Sequence, residues 1–458
     1  MLSLIAGLPG AIAVLVCMRR GVEQAFLMVY LPTLLLLPDG YRWPLIGHFS
    51  FHEAAIIPIA VWFVMSSSRT WEFSLTDLLV LGYCAVTVIS QYHNRNFEDA
   101  RNTALRDATY IVFPYMLAKG LCRRGNFGLK VAKQIAILLS IVSIVSIYEF
   151  KMAVDPFESL VRPFFSVTGP VTTFRYGLTR VSGPFGHALL AGVILLVGYR
   201  LARWLEWSGF WQKRFPILGI DAVRCCELCI VAGAAMTVAR GAWTGAIAGS
   251  LVVLLGRARN RVWAMTTMIA MIVMVGLPIY WGVHSYVSAG SRQDVSVSQQ
   301  TATYRVDLIT YYLPVIEKRP ILGYGQGPGF NMFPVMNGMS SIDDQYLLIA
   351  LTWGVAALAL WSGAFAWILA RLLWFGAQRP RDDLWGSLAW TLAAMCILFS
   401  VALTTVYLGG QSAALLSMIW GWSEGLLLSP LTALARVKDK NIRYGRVMSG
   451  VIIPAQSA

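Results

Sequence analysis

The chain has 458 residues, 57% of them hydrophobic and 13% charged, with 17 tryptophans and a mean hydropathy of +0.62. These values exclude an ordinary soluble domain and describe a polytopic membrane protein. The net charge of +14 gathers in short connections between apolar runs, which makes it a topology signal held against an anionic leaflet and not a nucleic-acid surface.

Apolar runs long enough to cross a ~30 Å hydrocarbon core recur at 2–18, 22–37, 53–66, 75–90, 103–118, 133–150, 187–203, 224–239, 241–256, 261–281, 346–374, 384–404 and 411–428. They are continuous instead of alternating, so they predict helices and argue against a β-barrel. The first run lacks a basic start and is followed by Arg19 and Arg20, which predicts a retained span and not a signal peptide. Basic residues cluster at every second connection: Arg19 and Arg20, Arg69, Lys119 to Lys130, Arg200 to Arg214, Arg257 to Arg261, Arg371 to Arg381, and the tail from Arg436. The positive-inside rule makes those connections cytoplasmic. The expected fold is therefore an all-α polytopic bundle over 1–458 with about 12–13 transmembrane helices, its N-terminus outside and a cytoplasmic basic tail at 429–458. The cysteines lie in or beside apolar runs; Cys225, Cys226 and Cys229 read as packing residues, too few to hold a metal, and no disulfide framework is implied.

Two non-cytoplasmic connections, 150–187 and 281–345, are too long to be mere turns, and such loops usually carry function. The first contains Arg162, Arg175 and Arg180 and ends "RVSGPFGHALLAG"; the second contains Arg292, Arg305, Lys318 and Arg319. Between them, "TVARGAWTGA" places Arg240 and Gly241 at the tip joining two spans on the same side. Arginines on that face oppose the sorting rule and need a local reason. For Arg162, Arg175 and Arg292 snorkelling, or pairing with Asp155, Glu158 or Asp294, suffices. For Arg180, Arg240 and Arg305, each beside a span or a glycine-bearing turn, the expectation is an anion site, since guanidinium forks suit a diphosphate.

Residues 302–318 read as a helix with Arg305, Leu308, Ile309 and Tyr312 on one face, Asp307 and Tyr311 on another, and Pro314 to kink or shorten it. An interfacial amphipathic helix with Arg305 snorkelling is the plainer alternative. The run "GYGQGPGF" then places Gly323, Gly325, Gly327 and Gly329 at alternate positions. It has no Gly-Lys-Ser/Thr ending, no preceding strand and no cytoplasmic location, so a nucleotide loop is disfavoured. A tight extended turn is expected, with amides free to meet a ligand, which puts Arg319, Gly323, Tyr324 and Gly325 among the substrate-binding candidates. Asp343 and Asp344 stand at the mouth of the next span. One should cap that helix; the other is the candidate general base or acceptor-orienting group, a role that requires partial burial. Asp344 and Tyr346 join the substrate-binding candidates. His187 is a rival base, or a structural residue at a helix start.

The order "RVSGPFGHALLAG", "ARGAWTGA", "YRVDLITYYLPVIEKRPILGYGQGPGF", "DDQYLLIALTWG" resembles the O-antigen ligase and polymerase superfamily with its Wzy-type C-terminal region, most closely from about Arg180 to Gly354. The resemblance implies a GT-C-like, inverting, metal-independent glycosyltransferase without a cofactor, in the bacterial inner membrane with its active site facing the periplasm. It implies an undecaprenyl-diphosphate-linked glycan as donor, an acceptor glycan or glycolipid, surrounding membrane lipids, and a chain-length regulator as a candidate partner. Arg240 and Arg305 correspond to the arginines that bind the diphosphate, and Arg180, Gly183, Phe185, Gly186 and His187 to the element before the span. Ligases that join O-antigen to lipid A-core typically carry His-Asn where this chain has Asp343-Asp344, and an aspartate at the first position is closer to polymerases of repeat units. The expectation is a polymerase, with a ligase as the alternative. A lipid-linked oligosaccharide flippase is disfavoured because Asp77, Asp107 and Glu424 fall in loops or at helix ends and no internal repeat is visible. A metal-dependent transferase is disfavoured because Asp39 and Glu53 are isolated acids.

Overall fold

The structure, a computed structural model, describes residues 2–42, 49–67, 71–123, 126–165, 172–211, 220–261, 263–268, 270, 297–327 and 342–429. Most of the 261–281 run, Arg292, Asp294, Gly329 and the tail from residue 430 lie outside the described residues, and so does the side chain of Arg305. In chain order the helices are α1 (Leu8–Arg20), α2 (Val22–Leu36), α3 (Phe51–Ser67), α4 (Leu75–Asn94), α5 (Phe97–Asp107), α6 (Phe113–Cys122), α7 (Phe127–Met152) and α8 (Pro156–Val161). A hairpin, β1 (Thr173–Arg175) and β2 (Leu178–Arg180), precedes α9 (Ala188–Ser208), α10 (Ala222–Met236), α11 (Arg240–Arg257), α12 (Val297–Lys318), α13 (Gln345–Ala377), α14 (Leu384–Ala402) and α15 (Gly410–Leu427). Helices α4, α7, α9, α13 and α14 are long and apolar enough to cross a membrane, and α2 and α3 are shorter apolar helices. The chain is an all-α polytopic membrane protein.

Close packing of the bundle rests partly on small residues. Gly241, Gly245 and Gly249 recur every fourth residue along α11, so they share one face. A Cβ at Gly245 would lie 2.7 Å from the Leu398 carbonyl oxygen, and one at Gly249 2.5 Å from that of Ala394. Only hydrogen in those places lets the α11 and α14 backbones touch. At the end of the bundle that carries the basic clusters, Lys119 of α6 lies 2.5 Å from Asp77 of α4, both 3% exposed. The Tyr115 hydroxyl donates to the other Asp77 oxygen at 2.7 Å, and Arg371 of α13 pairs with the buried Glu424 of α15. The two acids sit near helix ends, as expected, and each has its countercharge within reach, without which a buried charge is costly.

The opposite end is organised by a broken helix. Within α13, Gly354 has φ 85° and ψ 171°, so the helical ladder is interrupted and neighbouring carbonyl and N–H groups lose their partners, a severe cost in an apolar surround. The segment that follows α12 repairs the break. Tyr324 and Gly325 donate their backbone N–H groups to the carbonyls of Leu351 and Thr352, each at 2.9 Å, and Val355 donates to Pro320 at 2.6 Å. On the other side, Ser90 and Asn94 of α4 donate to the Leu322 carbonyl, and Gln91 exchanges two hydrogen bonds with the Gln326 backbone at 2.7 and 2.8 Å. The glycine ladder is thus a plug whose Tyr324 and Gly325 amides are committed to α13, not turned toward a ligand as the sequence suggested. Its glycines are required by the close approach: a Cβ at Gly323 would lie 2.5 Å from the Leu351 oxygen, and one at Gly354 2.0 Å from that of Ile321.

Helix α12 begins earlier than expected and continues through Pro314 to Lys318. It packs through Leu308, Tyr312, Val315 and Ile316 on Ile342, Ala350 and Leu351. Ile309, expected on the same face as Leu308, is 56% exposed. In the first long loop, Asp155 caps α8 by accepting from the Phe157 N–H at 2.9 Å.

Two outcomes are expected from this architecture. Gly354→Ala forces a Cβ into the plug at a left-handed φ, and should cost about 1–3 kcal/mol, seen as a lower thermal unfolding midpoint in detergent. At Asp155, burial and then the Glu149 charge push the carboxyl up to about 7. A raised carboxyl favours the fold while protonated, so its contribution is full below about pH 4 and is lost as pH rises through about 7. Limited proteolysis of the 150–187 loop should therefore be slower at about pH 5 than at about pH 8, and Asp155→Asn should flatten that difference.

Candidate active site

The first long loop is fixed from beneath by a carboxylate. Glu149, 2% exposed near the end of α7, accepts from the Ser182 N–H at 2.7 Å, the Ser182 hydroxyl at 3.0 Å and the Gly183 N–H at 2.9 Å. Gly183 and Gly186 both have positive φ, and the turn they allow delivers His187 to the N-cap of α9. There the His187 Nδ1 accepts from the Leu189 N–H at 3.2 Å. Burial and the Arg180 guanidinium hold its imidazole below the ordinary histidine value, opposed by Asp343. A neutral ring whose Nδ1 accepts carries its proton on Nε2, so the free edge of His187 is a donor and not a base.

The β1–β2 hairpin turns at Tyr176 and Gly177, both at positive φ, the requirement of a tight two-residue hairpin. It then staples the tip between α10 and α11. Val181 donates its N–H to the Met236 carbonyl at 3.2 Å. Arg180 Nε donates to the Thr237 carbonyl at 3.4 Å and Arg175 Nη1 to that of Val238 at 3.2 Å. Val238 itself stands at φ 48°, a strained conformation for a β-branched residue that persists only when its surroundings hold it. The exposed Arg240 begins α11, its guanidinium 5.7 Å from the centre of the Tyr176 ring. The hairpin therefore collects Arg175, Arg180 and Arg240. Among the described residues their contacts are to carbonyl oxygens and an aromatic ring, with no carboxylate paired to them. The pairing of Arg175 with Asp155 or Glu158 offered by the sequence is not made, because Asp155 caps α8 and Glu158 accepts from Tyr41. Burial and the like charge of Arg175 lower the Arg180 guanidinium from its ordinary value.

Asp344 is the helix cap: its Oδ1 accepts from the Leu347 N–H at 2.9 Å. Asp343 is left exposed, without the partial burial that a strong base would need, and its charge acts on His187. A single loop, 403–409, ties these pieces together. Gln345 donates its N–H to the Leu403 carbonyl at 2.9 Å and accepts from the Leu408 N–H through Oε1 at 2.7 Å. In the same loop Thr405 lies against Gly241, where a Cβ would come within 2.5 Å of its hydroxyl, and Gly409 lies against Leu190 of α9. The starts of α9, α11 and α13, bearing His187, Arg240 and Asp343, thus meet on one loop. Arg305 stands one turn before Leu308 on α12, the helix that packs on Ile342 beside Asp343.

The remaining candidates are occupied elsewhere. Arg319 donates to Asn94 at 3.1 Å and lies 4.9 Å from the Tyr324 ring centre, while the Tyr324 hydroxyl donates to the Val315 carbonyl at 3.0 Å. With Gly323 and Gly325 they belong to the repair of α13. The Tyr346 hydroxyl is taken by Ser400. Conversely, Glu149, Gln345 and Thr405 position the site and were not singled out from sequence; a glutamate near the end of an apolar run, in "SIYEFK", was the one visible signal.

A sequence model of the family described as O-Antigen ligase matches residues 227–362. The match takes in the Arg240 tip, α12 with Arg305, the plug and the Asp343 segment; Arg180 and His187 precede it. No curated protein matches the chain. That match falls on the elements that build the site, and over those residues the chain is similar to the O-antigen ligase family.

Proposed function

We propose that the chain is an integral-membrane glycosyltransferase that polymerises undecaprenyl-diphosphate-linked oligosaccharide repeat units, of an O-antigen or exopolysaccharide, at the periplasmic face of the bacterial inner membrane. The observation that carries this reading is the gathering of Arg175, Arg180 and Arg240, unpaired with carboxylates among the described residues, beside His187 and Asp343. Fixed guanidiniums supply the positive charge that a departing diphosphate needs, without a metal. The acceptor hydroxyl oxygen attacks the anomeric carbon from the side opposite the diphosphate. The carbon–oxygen bond to the diphosphate breaks, its electron pair leaves with that oxygen, and configuration inverts. Asp343 accepts the hydrogen bond, and finally the proton, of the attacking hydroxyl. Arg305 completes the diphosphate cradle from α12.

Transfer of finished glycan to a lipid acceptor is the second reading, favoured by the family description itself. A deletion strain separates the two: accumulation of lipid-linked single repeats marks a polymerase, and long polymer retained on its lipid carrier marks a ligase. Within the proposed reaction, Arg240→Ala or Arg305→Ala should lower product formation by at least about a hundredfold with membrane insertion intact. Wild-type chain length in both variants would overturn the assignment.

A further inference from the structure

A cavity of about 290 Å³ opens at the same end of the bundle, and the reaction above leaves it without a role. Part of its lining is polar, with Asp39, Arg42, Arg106 and Asp107 beside the Tyr110 phenol. Part is aromatic, from Trp353, Trp361, Trp420 and Tyr407. This set was not legible in advance, since the residues come from distant segments and Asp39 looked like an isolated acid.

The polar groups are held in place before any ligand arrives. The Tyr110 hydroxyl bridges both oxygens of Asp39 at 2.9 and 3.1 Å. The Thr87 hydroxyl donates to Asp107 at 2.5 Å. Arg106 donates to the Gln326 side chain at 2.5 Å and lies 5.9 Å from the Trp353 ring centre, so the last turn of the glycine plug closes this part of the lining. Asp107 is 6% exposed and Trp420 only 2%, yet the buried indole N–H of Trp420 has no hydrogen-bond partner among the described residues. The acids beside the cavity are countered from the protein, Asp39 by His52 at 3.4 Å and Asp107 by Arg106 at 3.9 Å, so the lining is charge-matched and offers donors and acceptors to a neutral polar occupant.

The chemistry of the lining narrows the occupant. A polyprenyl chain would set hydrocarbon against two carboxylates and two guanidiniums, and a free diphosphate would meet Asp39 and Asp107 as well as Arg42 and Arg106 and leave the aromatic rings unused. A sugar ring satisfies both parts: its C–H faces pack on indole and phenol rings, while its hydroxyls donate to carboxylates and accept from guanidiniums. The volume lies at the lower edge of the ~300–1,000 Å³ of small-molecule sites, which suits the end of a glycan. Gln345 also lines the cavity, and Asp343 precedes it by no more than about 7 Å of backbone.

We infer that this cavity binds the terminal saccharide of the acceptor glycan and holds its hydroxyl toward Asp343. The acceptor role rests on the glycosyltransferase reading; saccharide binding does not. The test uses the purified full chain in lipid nanodiscs, with tryptophan fluorescence titrated by short oligosaccharides released by mild acid from the polysaccharide of the cell that carries it. Intact fragments should give a saturable change, and fragments whose vicinal diols have been cleaved by periodate should not. Asp107→Asn and Arg106→Gln should each weaken binding about tenfold or more. Tyr407→Ala, in the 403–409 loop, probes the same cavity without touching a buried charge and should weaken it too. In transfer assays the same variants should raise the acceptor half-saturation concentration more than they lower the maximal rate. An equal response to oxidised fragments, or a response to undecaprenyl phosphate in place of saccharide, overturns the proposal, as does unaltered binding in all three variants. A wild-type chain that binds fragments but transfers no sugar overturns the proposed function alone. Transfer whose acceptor dependence none of the variants moves overturns the cavity alone.

Discussion

Inside a bilayer no backbone group can be left to water, and the break in α13 at Gly354 makes that constraint the organising fact of the molecule. The carbonyls of Leu351 and Thr352 take their hydrogen bonds from Tyr324 and Gly325. That exchange fixes where the chain after α12 must lie. It brings α12 onto Ile342, it puts Gln326 beside Gln91 and Arg106, and it leaves the first turn of α13 to be positioned separately, by Leu403 and Leu408. Removing the plug would therefore do more than unravel a loop. It would leave a membrane helix with unpaired groups and detach the helix that carries Arg305 from the segment that carries Asp343.

The arginine cluster is held by different means. Carbonyls at the tip between α10 and α11 accept from Arg175 and Arg180, and a carbonyl can orient a guanidinium without cancelling its charge. A carboxylate in the same place would have neutralised it. The acids of the neighbourhood are committed to backbone donors: Glu149 to Ser182 and Gly183, Asp155 to α8, Asp344 to α13. Positive charge and negative charge are thereby kept apart at close quarters, which is the electrostatic state an anion-binding site requires.

How much of this could be read in advance depended on where each partner lies in the sequence. The helices were legible because continuous apolar runs need no partner to be recognised. Asp344 was legible as one of two possible caps because capping is local. The glycine ladder was not, since its alternate glycines announce a close approach while the broken turn they approach comes after the Asp343 segment, and a lone Gly354 in "ALTWGVAAL" does not announce a break. Arg175 was read as snorkelling or pairing with a carboxylate because sequence offers charges and hides carbonyls. Glu149 was missed for the same reason, its partners being backbone N–H groups of a loop that lies a full connection away.

The exposure of Asp343 bears on how the proposed reaction divides its labour. An exposed carboxylate is a poor base for an alcohol, and His187 cannot substitute, because Nδ1 is occupied by the Leu189 N–H and the proton sits on Nε2. A glycosyl transfer that passes through an oxocarbenium-like state does not require a strong base, since the sugar–diphosphate bond is largely broken before the attacking oxygen must give up its proton. What it requires is charge stabilisation on the leaving side and an aligned hydroxyl on the other. On this reading the arginines carry the larger share of the barrier, His187 donates a hydrogen bond to an oxygen of the donor, and Asp343 aligns the acceptor and receives its proton late.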